Sequence, residues 1–325
     1  MRVLSDSEIK ELIDMGSVVG LMEELFRDPD RLRELPKQEL VLTRDEAGPA
    51  ASAFLMAAGT PESACVKILI DVSESRVEPV RAARQRSWIC VIDADSAEVV
   101  AICEGRTMTA YRTAAVSALA TKLLARPDSR VLGLIGADNL AGLHAMAIES
   151  LFELDEIVVW SRTASRRESF ARDAAVRTPV RVVSTPAECV RAADILCTLT
   201  PSAEPQVSHE WVREGTHINA VGSPPRPEYR ELTSDLVALS RLVVDDRTAG
   251  LTEAGDIVIP MREGRFDASH IVGDLGEVAS GKVVGRRSDK DITLFKSVGL
   301  AIEDVPTARW IVDRARAVAS SDPGA

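Results

Sequence analysis

The run VLGLI (131–135) is wholly apolar and leads into Gly136-Ala-Asp138-Asn139-Leu140-Ala141. An apolar strand that enters a helix through a glycine is the pattern of a dinucleotide turn. There the amides of a helix N-terminus meet a pyrophosphate, and glycines let it come close. Gly136 supplies the first glycine and Ala141 a small third residue, so Gly136, Asp138, Asn139 and Leu140 are candidate cofactor contacts. Asp138 stands where a second glycine is usual. Its charge is wrong beside phosphate, but it suits a helix N-cap, where a carboxylate accepts amide hydrogen bonds. A second run, EIVVW (156–160), ends in Ser161-Arg162-Thr163. An acidic residue there would bind the ribose diol of NAD, whereas an arginine suits the 2′-phosphate of NADP. Ser161, Arg162 and Thr163 therefore favour NADP(H) over NAD(H), and Arg166 and Arg167 add positive charge. The bland alternatives are a capped helix at Asp138 and a solvated arginine cluster after the second run.

The remaining residue types point away from other chemistry. The five cysteines (Cys65, Cys90, Cys103, Cys189, Cys197) are odd in number, show no CxxC spacing and lie in apolar runs, so buried reduced thiols are expected. The four histidines have no metal-ligand spacing, and no metal is expected. His144 reads as a packing residue in the helix after the turn. The 325 residues carry a formal net charge of −11 and are 46% hydrophobic. That allows two domains with sizeable cores. No block of Lys and Arg marks a nucleic-acid or membrane surface. MRVLSDSEIKELI lacks the apolar core of a signal peptide, and no run is long enough to span a bilayer. A cytoplasmic protein acting on a small molecule is expected.

The elements follow from pattern. Ser5-Asp-Ser-Glu8 fits a capping box ahead of a stripe at Ile9, Leu12 and Ile13. VVGLMEELFRD reads as a second helix. ELVLT, ACVKILIDV, SWICVIDA and EVVAICEG read as strands of an antiparallel or mixed sheet. RTAAVSALATKLLARPD suits a buried helix ended by Pro127. Strand-like runs at 131–135, 156–160, 180–183, 194–199, 217–221 and 241–245 then alternate with helical lengths, which predicts a parallel sheet covered on both faces. The fold class is α/β: a Rossmann-type doubly wound domain over 116–300, and a smaller α+β domain over 1–115 completed by the helix 301–320. The terminal SSDPGA reads as frayed.

RTAAVSALATKLLA, THINAVG, DLGEVASGK and TLFKSVGLAIEDV resemble the ornithine cyclodeaminase/mu-crystallin family, and the resemblance runs from about Leu40 to Val305. It implies a Rossmann-type domain joined to a substrate and dimerisation domain, a homodimer, and hydride transfer between a nicotinamide and the α-carbon of an amino or imino acid. Lys67 matches the family's lysine at the substrate. Val66, Ile68 and Ile70 share one strand face, so Lys67 points the other way; a solvated lysine is the alternative. Arg112 matches the arginine that clamps the substrate carboxylate, for which a forked guanidinium is suited. Otherwise it only charges a helix start. Met56 joins these two as a substrate-binding candidate. Thr113, Thr200, Val221 and Ser297 are carried over to the cofactor, with Gly222 and Lys296 beside them in the cleft.

Departures shape the functional expectation. GADNLA replaces the family's GAGxQA turn. No aspartate follows Gly222, where cyclodeaminases keep their acid/base, and Gly222-Ser-Pro-Pro-Arg226 is nearer the reductase branch. Lys37 or Gln38 stands where an arginine is frequent, and DVSESR replaces a PxN motif. The expected function is an NADP(H)-favouring oxidoreductase of an α-imino or α-amino acid, with Lys67 near the imine nitrogen or α-carbon as proton donor or charge partner. Two alternatives stay open: a cyclodeaminase that uses bound NAD catalytically, and a redox-inactive small-ligand-binding member, for which Asp138 speaks.

Overall fold

Ser5 closes a capping box. Its hydroxyl accepts from the Glu8 amide, and the Glu8 carboxylate accepts from the Ser5 amide. This starts α1 (Asp6–Leu12) just after β1 (Arg2–Leu4), and Asp14 caps α2 (Met15–Arg27) by accepting from the Ser17 amide. The computed structural model describes residues 1–28, 33–45, 48–72 and 85–321. The DVSESR segment beyond Val72 and the terminal DPGA lie outside these. The chain divides into two compact units, Met1–Arg112 with Leu300–Ala325, and Thr113–Gly299.

In the first unit β2 (Arg33–Glu34), β3 (Gln38–Asp45), β4 (Gly48–Gly59), β5 (Ser63–Val72), β6 (Gln85–Asp93) and β7 (Val99–Glu104) join β1 in a seven-stranded sheet among the described residues. Its order is β1-β7-β6-β5-β4-β2, with β3 also on β4. The β1–β7 ladder is parallel and the others antiparallel, so the sheet is mixed. GPAASAFLMAAG was not legible as a strand, because alanine and glycine have little β-propensity. It is one because β3 and β5 pair with it on both sides. The pleat then sorts the neighbours. Met56, Lys67, Ile89 and Cys103 lie opposite one another on the buried face, while Leu55, Ile68 and Trp88 form a row on the exposed face.

α3 (Gly105–Leu124) begins well before RTAAVSA. Arg112 therefore lies about two turns inside the helix and does not charge its start, which corrects that alternative.

The second unit alternates β8 (Val131–Ile135), α4 (Asn139–Glu149), β9 (Glu156–Trp160), α5 (Ala164–Asp173), β10 (Val180–Val182), α6 (Pro186–Ala192), β11 (Ile195–Thr198), β12 (His217–Ala220), α7 (Ser234–Leu239) and β13 (Arg241–Val244). It continues with α8 (Arg247–Glu253), α9 (Gly255–Arg262), β14 (Ile271–Asp274), α10 (Leu275–Ala279) and β15 (Thr293–Lys296). All ladders are parallel, in the order β10-β9-β8-β11-β12-β15-β13-β14. The direction of winding reverses between β8 and β11, the switch point at which such sheets bind ligands. IVGD and TLFK, at four residues each, are too short to show a period, and the sequence reading missed both strands. After a 3-10 helix at Ala301–Glu303, α11 (Asp304–Ser321) packs on β5 and α2 of the first unit. No helix among the described residues is long and apolar enough to cross a membrane.

His144 is packed into the second unit as expected. It is fully buried, with Nδ1 against the Leu140 carbonyl at 2.8 Å and Nε2 against the Ser117 hydroxyl at 3.0 Å. Burial pulls its pKa down to about 4. An unfolded histidine titrates near about 6.5. As pH falls, the unfolded chain takes the proton first, so this contribution is complete above about pH 6.5 and drains away toward the folded value. Urea unfolding of wild type and His144→Gln should show their stability difference narrowing by about 2 kcal/mol between pH 7 and pH 5. A pH-independent difference would mean that the ring is not held neutral.

Candidate functional site

β5 carries Lys67 inward, where only 2% of it is exposed, and this overturns the solvated-lysine alternative. Its ammonium donates to the Thr109 hydroxyl at 2.7 Å and to Asp304 Oδ2 at 3.1 Å. Arg112 reaches the same place from α3. Its Nε lies 3.4 Å from Asp304 Oδ1, and its Nη1 lies 2.5 Å from Glu303 Oε2. Two cations and two carboxylates thus share one buried cluster within the first unit. Burial lowers the Lys67 pKa and the Arg112 charge adds to that, while Asp304 opposes both. A lysine lowered in this way, yet paired, can hold a proton and release it. Met56 is buried directly opposite Lys67 on β4.

Glu303 and Asp304 escaped the sequence reading. Their signal was present, since AIEDV lies within the motif that carried the resemblance. But two acids ahead of an apolar stripe read equally well as charges favoured at a helix start.

In the second unit, Gly136 adopts φ +128°, a conformation that favours glycine, and a Cβ there would meet Leu199 at 3.1 Å. Asp138 caps α4, as its helix-cap reading expects. Its Oδ1 accepts from the amides of Leu140 at 3.1 Å and Ala141 at 3.2 Å. Those are amides that a pyrophosphate would use. The residues fit a dinucleotide turn provided this carboxylate swings away. Asp138, Asn139 and Gly142 also face Ser165, Arg166 and Phe170 across a cavity of about 460 Å³. Arg162 and Thr163 are exposed beyond β9, and Ser161 is half-buried. Arg167 is turned back onto the Ser161 carbonyl, so it is committed to the backbone.

Thr200 and Gly222 are held by a carboxylate that the sequence reading also missed. Glu231 is fully buried and receives the Thr198 and Thr200 hydroxyls and the amides of Thr200, Gly222 and Ser223. Burial pushes its pKa up. The Val221 amide bonds the Thr198 carbonyl. No pattern in the sequence distinguishes Glu231 from a surface acid. Ser297 donates to Asp245 Oδ2 at 2.9 Å and is buried. Lys296 is 1% exposed and paired with Asp256 at 3.0 Å, and it donates to the Ser223 hydroxyl. Thr113 is half-buried one residue after Arg112, and its carbonyl accepts from Ser117. Among the described residues no group of three or more His, Cys, Asp or Glu is placed to hold a metal ion.

The family model for the ornithine cyclodeaminase/mu-crystallin family matches residues 1–319. The chain is 33% identical to a Delta(1)-pyrroline-2-carboxylate reductase of Bacillus cereus over 97% of each chain. Its structure is similar to that of the Thermococcus litoralis Delta(1)-pyrroline-2-carboxylate reductase in complex with NADH and L-proline, with a TM-score of 0.92, 32% identity and 98% of each chain covered. It is also similar to an archaeal alanine dehydrogenase dimer with bound NAD, with a TM-score of 0.89 and 28% identity over 98% of this chain and 96% of that one.

The geometry around Gly222 carries a direct test. A Cβ there would lie 2.0 Å from the Thr200 amide nitrogen and 2.2 Å from the Leu199 carbonyl carbon. Gly222→Ala must push two strand ends apart. It should cost about 1–3 kcal/mol or more in a urea melt and should weaken dinucleotide binding. Unchanged stability would show that this approach is not tight.

Proposed function

The chain belongs to the ornithine cyclodeaminase/mu-crystallin family, and from that premise we propose that it is an NAD(P)-dependent oxidoreductase that interconverts an α-imino acid and its amino acid. The carrying observation is Lys67 and Arg112 fixed side by side on one buried carboxylate. An ammonium next to a guanidinium suits a substrate whose C=N nitrogen stands one carbon from a carboxylate. Arg112 takes the carboxylate and Met56 gives the apolar part of the substrate a surface. The bound nicotinamide supplies the hydride. Lys67 Nζ gives the imine nitrogen its proton, and in the oxidative direction takes it back. The names of the relatives make a cyclic imine such as Δ1-pyrroline-2-carboxylate the first substrate to try, with L-proline for the reverse reaction. No aspartate follows Gly222 to serve a cyclodeaminase.

For the cofactor, the second unit offers Gly136, Asn139 and Leu140 at the turn, with Asp138 displaced. Ser161, Arg162 and Thr163 lie at the ribose side, and Thr113, Thr200, Val221 and Ser297 toward the nicotinamide. Arg162 is exposed and no carboxylate ends β9, which supports NADP(H) over NAD(H). We assign the assembly as a homodimer. Leu40, Leu55, Ile68 and Trp88 are between 42% and 56% exposed on one sheet face of the first unit. Such a patch favours being covered by a second copy.

Fluorescence titration with NADPH and NADH, alongside imine reduction, tests the reading. Wild type should bind NADPH more tightly than NADH. Arg162→Glu should weaken NADPH on the order of tenfold and leave NADH nearly unchanged. Asp138→Gly should tighten both, because two amides are released. If wild type binds neither and only the glycine variant does, the redox reading falls and a small-ligand-binding role takes its place. For the assembly, Ile68→Glu should turn a dimer into a monomer in sedimentation velocity, and an unchanged dimer would place the interface elsewhere.

A further inference from the structure

Lys67 and Arg112 are both cations, and both are buried. The groups that face Lys67 are the neutral Thr109 hydroxyl, Arg112 on α3, Glu303 at the end of the 3-10 helix and Asp304 at the start of α11. The Arg112 charge repels an ammonium. Glu303 is held by the far end of the Arg112 guanidinium. Asp304 is the carboxylate in direct contact with Lys67, and its two oxygens are divided: Oδ2 lies nearer Lys67 and Oδ1 meets Arg112 Nε. α11 is itself anchored, through Arg309 on Asp93 and Arg314 on Asp14.

We propose that Asp304 is the positioning residue of this site, holding Lys67 charged and aimed while tying it to Arg112. The proposal rests on the reading that Lys67 and Arg112 serve the substrate. In imine reduction the C=N π bond breaks. The hydride makes the new C–H bond, and the new N–H bond takes its proton from Lys67 Nζ. The dinucleotide is oxidised and the imine reduced, and the neutral lysine recovers its proton from water. Such a step needs the lysine protonated when substrate is bound. Burial works against this and Asp304 works for it. The roles divide within the cluster. Asp304 governs the proton, and Glu303 keeps Arg112 in place without it.

The test is Asp304→Asn in the full chain, reducing Δ1-pyrroline-2-carboxylate with NADPH. Without the carboxylate, Lys67 loses its proton at lower pH. The alkaline limb of the kcat/KM profile should therefore move toward acid by about one unit or more, and kcat at pH 8 should fall on the order of tenfold or more. KM should stay within about threefold, because Glu303 still holds Arg112. Carbon-13 NMR of lysine ε-carbons, with Lys67 assigned through Lys67→Met, should show Lys67 titrating lower in the variant by about the same amount. An unmoved limb and an unmoved Lys67 titration overturn the proposal, even where Lys67→Met is inactive and the wider reading stands. If Lys67→Met keeps wild-type turnover, the wider reading falls first and the proposal with it. If Asp304→Asn does not fold, wild type decides: a Lys67 that is neutral at pH 7 overturns the proposal, and a charged one supports it.

Discussion

A charge taken out of water must meet its opposite, and the first unit is organised around this constraint. Lys67 and Arg112 come from the first half of the chain, on β5 and α3. Their counter-charges, Glu303 and Asp304, come from its last tenth. An unpaired ammonium or guanidinium at that depth would cost several kcal/mol. The C-terminal helix is thus required in this unit twice over, once for its apolar stripe and once for Asp304 at its start, with Glu303 just ahead of it. The pleat of β5 supplies the other half of the arrangement. It turns Lys67 toward those acids and Ile68 toward the outside, so one strand builds a buried polar site and an exposed apolar face together.

The second unit solves a related problem with carboxylates that serve backbone amides. Glu231 gathers the end of β11 and the turn after β12. Asp245 gathers Ser297 and the amides of Val298 and Gly299 after β15. Asp256 receives Lys296 and the amides of Glu231 and Leu232. These acids lie beneath the carboxyl edge of the parallel sheet, the edge at which such folds bind ligands. Buried hydrogen-bonded acids rigidify the strand ends they touch. The loops at that edge are fixed in advance.

The turn at Gly136 is where local economy and ligand binding compete. Asp138 satisfies two orphan amides of α4 within its own chain. That stabilises the helix start and occupies the donors that a pyrophosphate would take. Helix capping contributes about 1 kcal/mol, a small barrier beside the total binding energy of a dinucleotide. Asp138 therefore sets a helix cap and a phosphate contact in competition for the same two amides.

Much of this was legible in advance. The alternating apolar runs predicted the parallel sheet, because strands buried on both faces cannot be polar. The capping box at Ser5 and the Asp138 cap follow from residue type alone, since both bonds span only two or three residues. Arg112 opens one of the motifs that carried the resemblance, and the resemblance also pointed to Lys67 outside them. What was not legible lies at long range. β4 is too rich in alanine and glycine to announce itself, and it forms because neighbouring strands pair with it on both sides. Glu231, Asp256 and Asp304 look like surface acids in any window of sequence. The sequence by itself determined the two element patterns, the local caps and the residue types able to bind an imino acid and a dinucleotide. Only the tertiary structure decided which face of β5 is buried and which acid answers which cation. Burial and charge pairing are set by residues hundreds of positions apart, and no local pattern encodes that meeting.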